Sequence, residues 1–329
     1  MNFQGLKNVD EADWYLDLAF STAKKCASNV RSTLKGKSRL EKSRRIELEK
    51  INSIKKVLSR QFNGILTSFP TIDELPEFYN KLVKLTLEYD RLKIALGSLN
   101  WSVNNIERFS KEYATKIKKC KDVQKINDYR RSYYGRISSI LKQMKKHLSY
   151  LEEARRIMKK YPAVKTELFT VCITGFPNVG KTTLLKKLTG ANAEINDYAF
   201  TTKKLNIGYM KTPYGKIQFI DTPGTLNRFN KMNDIERQAQ LAMKHCADII
   251  VYVFDLTEPY PLEKQEELMG VIKKGKKDLW FYMSKADLLE GEIREYVNKR
   301  KLNAFSDAEK LGDEIVKTAK KSPKKIPED

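Results

Sequence analysis

Cysteine is scarce in this 329-residue chain: Cys26, Cys120, Cys172 and Cys246 lie far apart, with no C-x-x-C pair. That spacing argues against a disulfide framework and against a zinc site, and it suits a reducing cytosol. Histidine is scarcer still, and of the two only His147 falls in the first half. No apolar run approaches the ~18 residues of a membrane-spanning helix, and the first residues carry no signal-peptide pattern. A soluble cytoplasmic protein is expected. The apolar fraction, 41%, is low for one compact enzyme but adequate where part of the chain is a thin helical bundle.

Basic side chains, by contrast, are abundant and unevenly placed. Lys and Arg number 63 against 41 Asp and Glu, a net charge of +22. Residues 1–164 hold 35 basic and 18 acidic side chains, whereas residues 165–329 hold 28 and 23. The excess is densest from Trp101 to Lys160, with 17 basic against 6 acidic. Such a field attracts polyanions, with an affinity that falls as salt rises. RNA or DNA is the expected partner, ahead of an anionic membrane surface.

Periodicity makes the first 160 residues helical. The series Leu82, Leu85, Tyr89, Leu92, Leu96, Leu99 steps by three and four, as do Ile137, Leu141, Met144, Leu148, Leu151 and Ile51, Ile54, Leu58, Phe62, Ile65. Each spacing predicts a helix with one apolar face. Prolines in Ser68-Phe-Pro-Thr-Ile-Asp-Glu-Leu-Pro76 break the run. Apolar stripes of this kind must be buried against each other, so a helical bundle is expected. Its outer faces mix cations with aromatics in Lys116–Lys121, Tyr129–Arg136 and Lys142–Lys146. Arginine can grip phosphate with two hydrogen bonds and exposed tyrosine can stack on unpaired bases, so these segments are read as an RNA-facing surface.

The pattern changes at Tyr161-Pro162. A strand-like run, Leu168–Thr174, leads into Gly175-Phe-Pro-Asn-Val-Gly-Lys-Thr182 and then Thr183-Leu-Leu-Lys-Lys-Leu188. G-x-x-x-x-G-K-T between a strand and a helix is the phosphate-binding loop. Its glycines let successive N–H groups point at the phosphates, Lys181 reaches the β- and γ-phosphates, and the Thr182 hydroxyl ligates Mg²⁺. The positive end of the helix lies beneath them. Lys216–Gly224 is a strand running into D-x-x-G, Asp221-Thr-Pro-Gly224. There Asp221 can hold Mg²⁺ through water, and the Gly224 N–H can sense the γ-phosphate. Thr202 of Tyr198-Ala-Phe-Thr-Thr202 sits where a switch threonine completes the metal shell. Asp248–Asp255 and Asp278–Met283 are further buried strands, and the second delivers Ser284-Lys-Ala-Asp287. Asp287 can accept two hydrogen bonds from guanine, a donor pair adenine lacks, while the stem of Lys285 lies against the ring.

This set, G-x-x-x-x-G-K-T, F-T-T, D-T-P-G and x-K-x-D, resembles the Obg-like GTPases of the translation-factor class, and within them the nucleolar GTP-binding protein, or Nog-type, branch. Ser68–Tyr79, Leu96–Trp101 and Tyr134–Gln143 are similar to segments of that family's helical domain, so nearly the whole chain is covered. The resemblance implies a Ras-like α/β domain with a mostly parallel sheet (residues 165–318) behind an all-α bundle (1–164); the Lys-rich composition of the end (319–329) reads as disordered. It also implies a GTPase that matures the large ribosomal subunit by docking on ribosomal RNA, with ribosomal proteins as further contacts. Eukaryotic members continue into a long C-terminal extension, whose functions are expected to be absent from this chain.

Carried over residue by residue, the nucleotide site comprises Gly175, Phe176, Pro177, Asn178, Val179, Gly180, Lys181, Thr182 and Thr183, the switch residues Phe200, Thr201, Thr202, Asp221, Thr222, Pro223 and Gly224, and the base-reading Ser284, Lys285 and Asp287. Mg²⁺ falls to Thr182, Thr202 and Asp221, and catalysis to Lys181, Thr202 and Gly224. Ser284 stands where the family has Asn, which is expected to weaken affinity while Asp287 keeps the guanine preference. Ser306, in Phe305–Lys310, is the candidate for the last guanine-contacting loop. Thr225 and Leu226 follow Gly224, where Ras-type enzymes place a water-orienting glutamine, so intrinsic hydrolysis is expected to be slow and to need a ribosomal activator. Arg228 could act in cis but is read first as an exposed switch residue. A monomer is expected. The alternative reading is a regulatory GTPase switch that binds a protein or an acidic membrane, with no RNA role.

Overall fold

The structure, a computed structural model, describes residues 3–34, 36–190, 194–197, 204–222, 234–257, 260–275, 277–300 and 302–322. The described residues form two compact units. One comprises Gln4–Thr71 and Leu87–Lys159; the other comprises Phe3, Ile72–Thr86 and the described residues from Lys160 onward. The chain thus passes back and forth between them.

The first unit is a bundle of four long helices: α1 (Ala12–Thr33), α2 (Arg39–Ser68), α4 (Tyr89–Lys119) and α5 (Val123–Met158). Two of the expected stripes line its core intact. Ile51, Ile54, Leu58, Phe62 and Ile65 of α2 and Ile137, Leu141, Met144, Leu148 and Leu151 of α5 are all buried. Two of the four helix starts carry side-chain caps. Ser38 and Glu41 form a reciprocal capping box on α2, and the Asp122 carboxylate accepts from the Gln124 N–H at the start of α5.

The third stripe is not one helix. Leu82 and Leu85 lie on α3 (Glu77–Thr86), while Tyr89 to Leu99 lie on α4, in the other unit. No Gly or Pro marks this break. Tertiary hydrogen bonds hold it instead. The Thr86 hydroxyl is bonded to the Tyr161 hydroxyl, and the Tyr150 hydroxyl donates to the Glu88 carbonyl at 3.0 Å.

The second unit is built on a seven-stranded sheet: β1 (Thr170–Thr174), β2 (Glu194–Asp197), β3 (Lys204–Thr212), β4 (Gly215–Asp221), β5 (Ile249–Phe254), β6 (Asp278–Met283) and β7 (Ala304–Phe305). The strand order is β2-β3-β4-β1-β5-β6-β7. β4, β1, β5, β6 and β7 run parallel, and β2 and β3 form an antiparallel edge. β1 and β5 are buried along their whole length, as unbroken apolar runs in a parallel sheet must be. Around the sheet lie α3, α6 (Lys181–Thr189), α7 (Asp234–His245), α8 (Leu262–Lys273), α9 (Glu290–Arg300) and α10 (Ala308–Lys320).

α10 reaches two residues into the expected disordered end. Asp307 caps it through the Glu309 N–H, and Leu311, Ile315 and Ala319 are buried at helical spacing, so residues 319 and 320 are helical. Residues 323–329 lie outside the described residues. α3 packs on α7 within this unit, with His245 Nδ1 3.3 Å from a Glu77 carboxylate oxygen. The buried Tyr79 hydroxyl lies 2.8 Å from the carbonyls of both Pro162 and Val164.

One carboxylate makes the bundle sensitive to acid. Burial alone would raise the pKa of Glu152, but hydrogen bonds from Arg155, Arg156 and the Val9 N–H hold it at about 2, against an ordinary 4.5. A depressed carboxylate contributes stability that is fully present above its unfolded value and is lost as pH falls through its folded one. The helical signal should therefore weaken between pH 4.5 and about 2. Glu152→Gln should remove that part of the acid dependence, as read by circular dichroism during acid titration; an unchanged titration curve would contradict it.

Candidate functional site

The site grows from the end of β1, at the centre of the sheet, where parallel α/β folds open a crevice beyond their strand C-termini. Gly175 leaves the strand with φ 148°, Asn178 has φ 61° and Gly180 has φ 92°. These turns wrap the loop so that α6 starts at Lys181, with the Leu184 N–H donating to the Gly180 carbonyl at 2.9 Å. A Cβ on Gly175 would lie 2.7 Å from the Val253 carbonyl oxygen of β5, so backbone meets backbone there. Phe176 and Val179 are buried, and the Phe176 ring packs 5.1 Å from that of Tyr260. Their side chains belong to the core, which leaves only their main chain to face a ligand. Lys181 is buried, and its ammonium donates to the Phe176 carbonyl at 2.5 Å.

Beside the loop, Asp221 ends β4. One carboxylate oxygen accepts from the Thr182 hydroxyl at 2.7 Å and from the Asn206 amide of β3 at 3.0 Å. The other, Oδ1, is buried without a hydrogen-bond partner. Burial raises the Asp221 pKa, opposed by those two hydrogen bonds and by the charge of Lys181. An orphaned buried oxygen next to a threonine hydroxyl is a hard-oxygen pair of the kind Mg²⁺ takes, and it calls for a cation. Among the described residues no group of three or more His, Cys, Asp or Glu gathers as a metal cluster. Thr222 is fully buried, and both its amide and its hydroxyl donate to the Ile173 carbonyl at 3.0 Å, tying the end of β4 to β1.

The segment expected to read the base follows β6. Ser284 is buried, and its amide and hydroxyl both donate to the Phe254 carbonyl at 2.9 Å. Its Cβ lies 3.5 Å from the position an added Cβ would take on Gly180, so this segment and the phosphate loop touch. The serine is thus spent on the end of β5. Lys285 adopts φ 54°, and its ammonium lies 2.6 Å from a carboxylate oxygen of Asp255 and 3.1 Å from the Thr257 hydroxyl. Asp287 is exposed in the following turn. Ser306 is exposed at the bend between β7 and the Asp307 cap of α10.

Sequence reading missed the support of this segment. Asp255, fully buried, also accepts from the Thr257 N–H and hydroxyl. Gln265 of α8 clamps the Asp255 main chain, accepting from its N–H at 3.1 Å and donating to its carbonyl at 3.0 Å. Asn206 was missed as well. A carboxylate closing an apolar strand was the one available signal, for Asp255; for Gln265 and Asn206 there was none. Of the expected residues, Phe200, Thr201, Thr202, Pro223 and Gly224 lie outside the described residues, as do Thr225, Leu226 and Arg228.

Two family models match: NOG1 N-terminal helical domain over residues 3–165 and 50S ribosome-binding GTPase over residues 170–285. An uncharacterized protein of Methanocaldococcus jannaschii is 38% identical over 77% of this chain and 72% of its own length. Nucleolar GTP-binding protein 1 of Encephalitozoon cuniculi is 32% identical over 75% of this chain and 48% of its own. The Drosophila melanogaster protein of the same name is 30% identical over 88% and 45%. The chain thus spans about half the length of these named relatives. Among solved structures, the G domain of the T. maritima FeoB iron transporter aligns with 46% of this chain and 99% of its own, at 27% identity and a TM-score of 0.40.

Gly175→Ala places a methyl group against the Val253 carbonyl in a backbone region L-residues rarely adopt. Nucleotide affinity should fall at least about tenfold, or about 1.4 kcal/mol, with the helical circular dichroism unchanged. Wild-type affinity in a fluorescent-nucleotide titration would contradict the backbone packing described for this loop.

Proposed function

The chain belongs to the Nog-type, or nucleolar GTP-binding protein, family of P-loop GTPases, and on that premise we propose that it is a GTP-controlled assembly factor of the large ribosomal subunit. The helical part, residues 1–164, docks on ribosomal RNA, and the GTPase part, residues 165–318, controls its hold. The observation that carries this reading is the charge division: 35 basic against 18 acidic side chains in residues 1–164, against 28 and 23 in the remainder. A field of that sign and unevenness draws an anionic partner to the helical part.

Chemically, the turned main chain from Gly175 to Thr182 binds the phosphates. Lys181 leaves the Phe176 carbonyl for the β- and γ-phosphates. Mg²⁺, held by Thr182 and Asp221 with Thr202 in the triphosphate state, supplies neutralisation of phosphate charge. Asp287 pairs with guanine while the Asp255 carboxylate steadies Lys285 along the ring, and Ser306 lies over the far edge of the base. Thr202 and Gly224 respond to the γ-phosphate, and hydrolysis relaxes them. With Thr225 in the glutamine position, the attacking water lacks its usual orienting amide.

Two measurements test this. In nucleotide titrations the protein should prefer GTP to ATP, Asp287→Ala should erase the preference, and Ser284→Asn should tighten binding; turnover of the purified protein should be slow. Equal affinity for the two nucleotides, or fast unaided turnover, would refute these assignments. Sedimentation with ribosomal subunits across a salt series should show co-migration with the large subunit, strongest with a GTP analogue and weakened by salt. No association in any nucleotide state at low salt would leave a switch whose partner is a protein or an acidic membrane.

A further inference from the structure

The aromatics that sequence reading assigned to the RNA-facing surface are largely taken up by the bundle. Tyr133 is fully buried and shares a hydrogen bond with Ser110 at 2.9 Å. Tyr134 stacks on Phe20 with ring centroids 4.8 Å apart, and burial pushes its hydroxyl up to about 12. A different aromatic is free. On α4, Trp101 is 44% exposed and Ile94, two turns earlier on the same face, is 60% exposed. Between them Gly97 faces open space, since an added Cβ would meet nothing within 4 Å. Single exposed apolar residues are ordinary, but an indole and an isoleucine aligned across a glycine form an apolar strip.

The strip runs into fixed cations. The Asn105 amide donates to the Trp101 carbonyl at 2.9 Å and its oxygen accepts from Arg108 at 2.7 Å. Arg108 and, from α5, Arg136 lie 4.6 and 5.7 Å from the same Phe109 ring centroid. Guanidinia stacked and tethered in this way lose little freedom on gripping an anion. The nearby Glu112 is paired with Lys116 at 2.6 Å and also interacts with both arginines, so one carboxylate faces three cations there. Arg108 stands seven residues beyond Trp101, about 10 Å along the helix.

From this juxtaposition we propose that Trp101 is a base-stacking residue of the RNA interface, taking an unpaired nucleotide on its indole while Arg108 and Arg136 hold the neighbouring phosphates. The proposal rests on the RNA-docking reading and deepens it. An apolar plane beside fixed positive charge fits a single-stranded nucleotide, whose base offers a flat face and whose backbone supplies the anions. The other exposed tryptophan of this bundle makes the contrast. Trp14 is 46% exposed, but it lies among Asp10, Glu11, Asp13 and Asp17, which repel phosphate.

The test uses the full chain with Trp14→Phe and Trp280→Phe, which leaves Trp101 as its sole tryptophan. A mixed-sequence single-stranded oligoribonucleotide of about 12 nucleotides should quench its fluorescence, and the same sequence as a duplex should not. In the otherwise unaltered chain, Trp101→Ala should weaken single-strand binding about 5- to 150-fold without changing the salt slope. Trp101→Phe should retain most of the affinity, and Trp14→Phe should change nothing. Arg108→Gln and Arg136→Gln should each reduce the salt slope. If Trp101→Ala co-sediments with large subunits as wild type does and the indole is not quenched, the stacking role is overturned while the docking reading stands. If wild type binds neither oligonucleotide nor subunits, both fall. Quenching by RNA-free ribosomal proteins instead of RNA would make the strip a protein-docking face and overturn the assignment to a base.

Discussion

A single buried carboxylate ties the nucleotide site together. Asp221 ends β4, and its one bonded oxygen gathers the Thr182 hydroxyl from the start of α6 and the Asn206 amide from β3. The start of α6, the end of β4 and β3 thus meet at one atom. Its partner oxygen stays unsatisfied inside the protein, a costly arrangement unless a cation is to be met there. Around this point the main chain is packed without slack. Gly175 lies against the Val253 carbonyl, a backbone contact that no side chain can adjust, and the Ser284 side chain borders Gly180.

What was legible in the sequence was what is local. The glycines and Lys181 announce the phosphate loop because the chemistry needs them at fixed spacing, and the apolar runs announce β1 and β5 because a parallel sheet buries both faces. Two of the three helical stripes read correctly for the same reason. What escaped were contacts made across the fold. Gln265 grips Asp255, and Gln218 of β4 bridges Lys165 and Thr170. In sequence each is an ordinary polar residue. The break after Thr86 escaped too, because uninterrupted three-and-four spacing cannot reveal a helix end fixed by Tyr161 and Tyr150 from elsewhere in the chain. The basic surface was legible as charge but not as geometry: composition could not tell buried Tyr133 from exposed Trp101.

The two units spend their polar groups differently. In the bundle, most charged side chains lie outside, with Glu47 between Lys50 and Arg130, and Glu152 with its arginines, as the exceptions. In the sheet unit, polar groups are turned inward to fix loops. Lys285 is held to Asp255, and Thr222 to Ile173. Surface ion pairs contribute little stability, so the bundle can hold unpaired cations at small cost and still fold through its apolar stripes. The internal pairs of the other unit are constraints on geometry, which is what a site that must distinguish nucleotides requires.

The excursion of α3 has a consequence for how the protein is made. Everything the four-helix bundle needs has been synthesised once Lys159 leaves the ribosome, whereas α3, although made earlier, packs on α7 and anchors Tyr79 on the Pro162 and Val164 carbonyls. Domains fold as units and in order of synthesis, so α3 must wait, tethered at both ends to a finished bundle, for a partner still inside the translation machinery. Nucleotide binding is then the last property to be acquired. A chain interrupted before α7 would carry the bundle helices but leave α3 without its packing partner, and a fragment begun at residue 165 would lack α3 altogether.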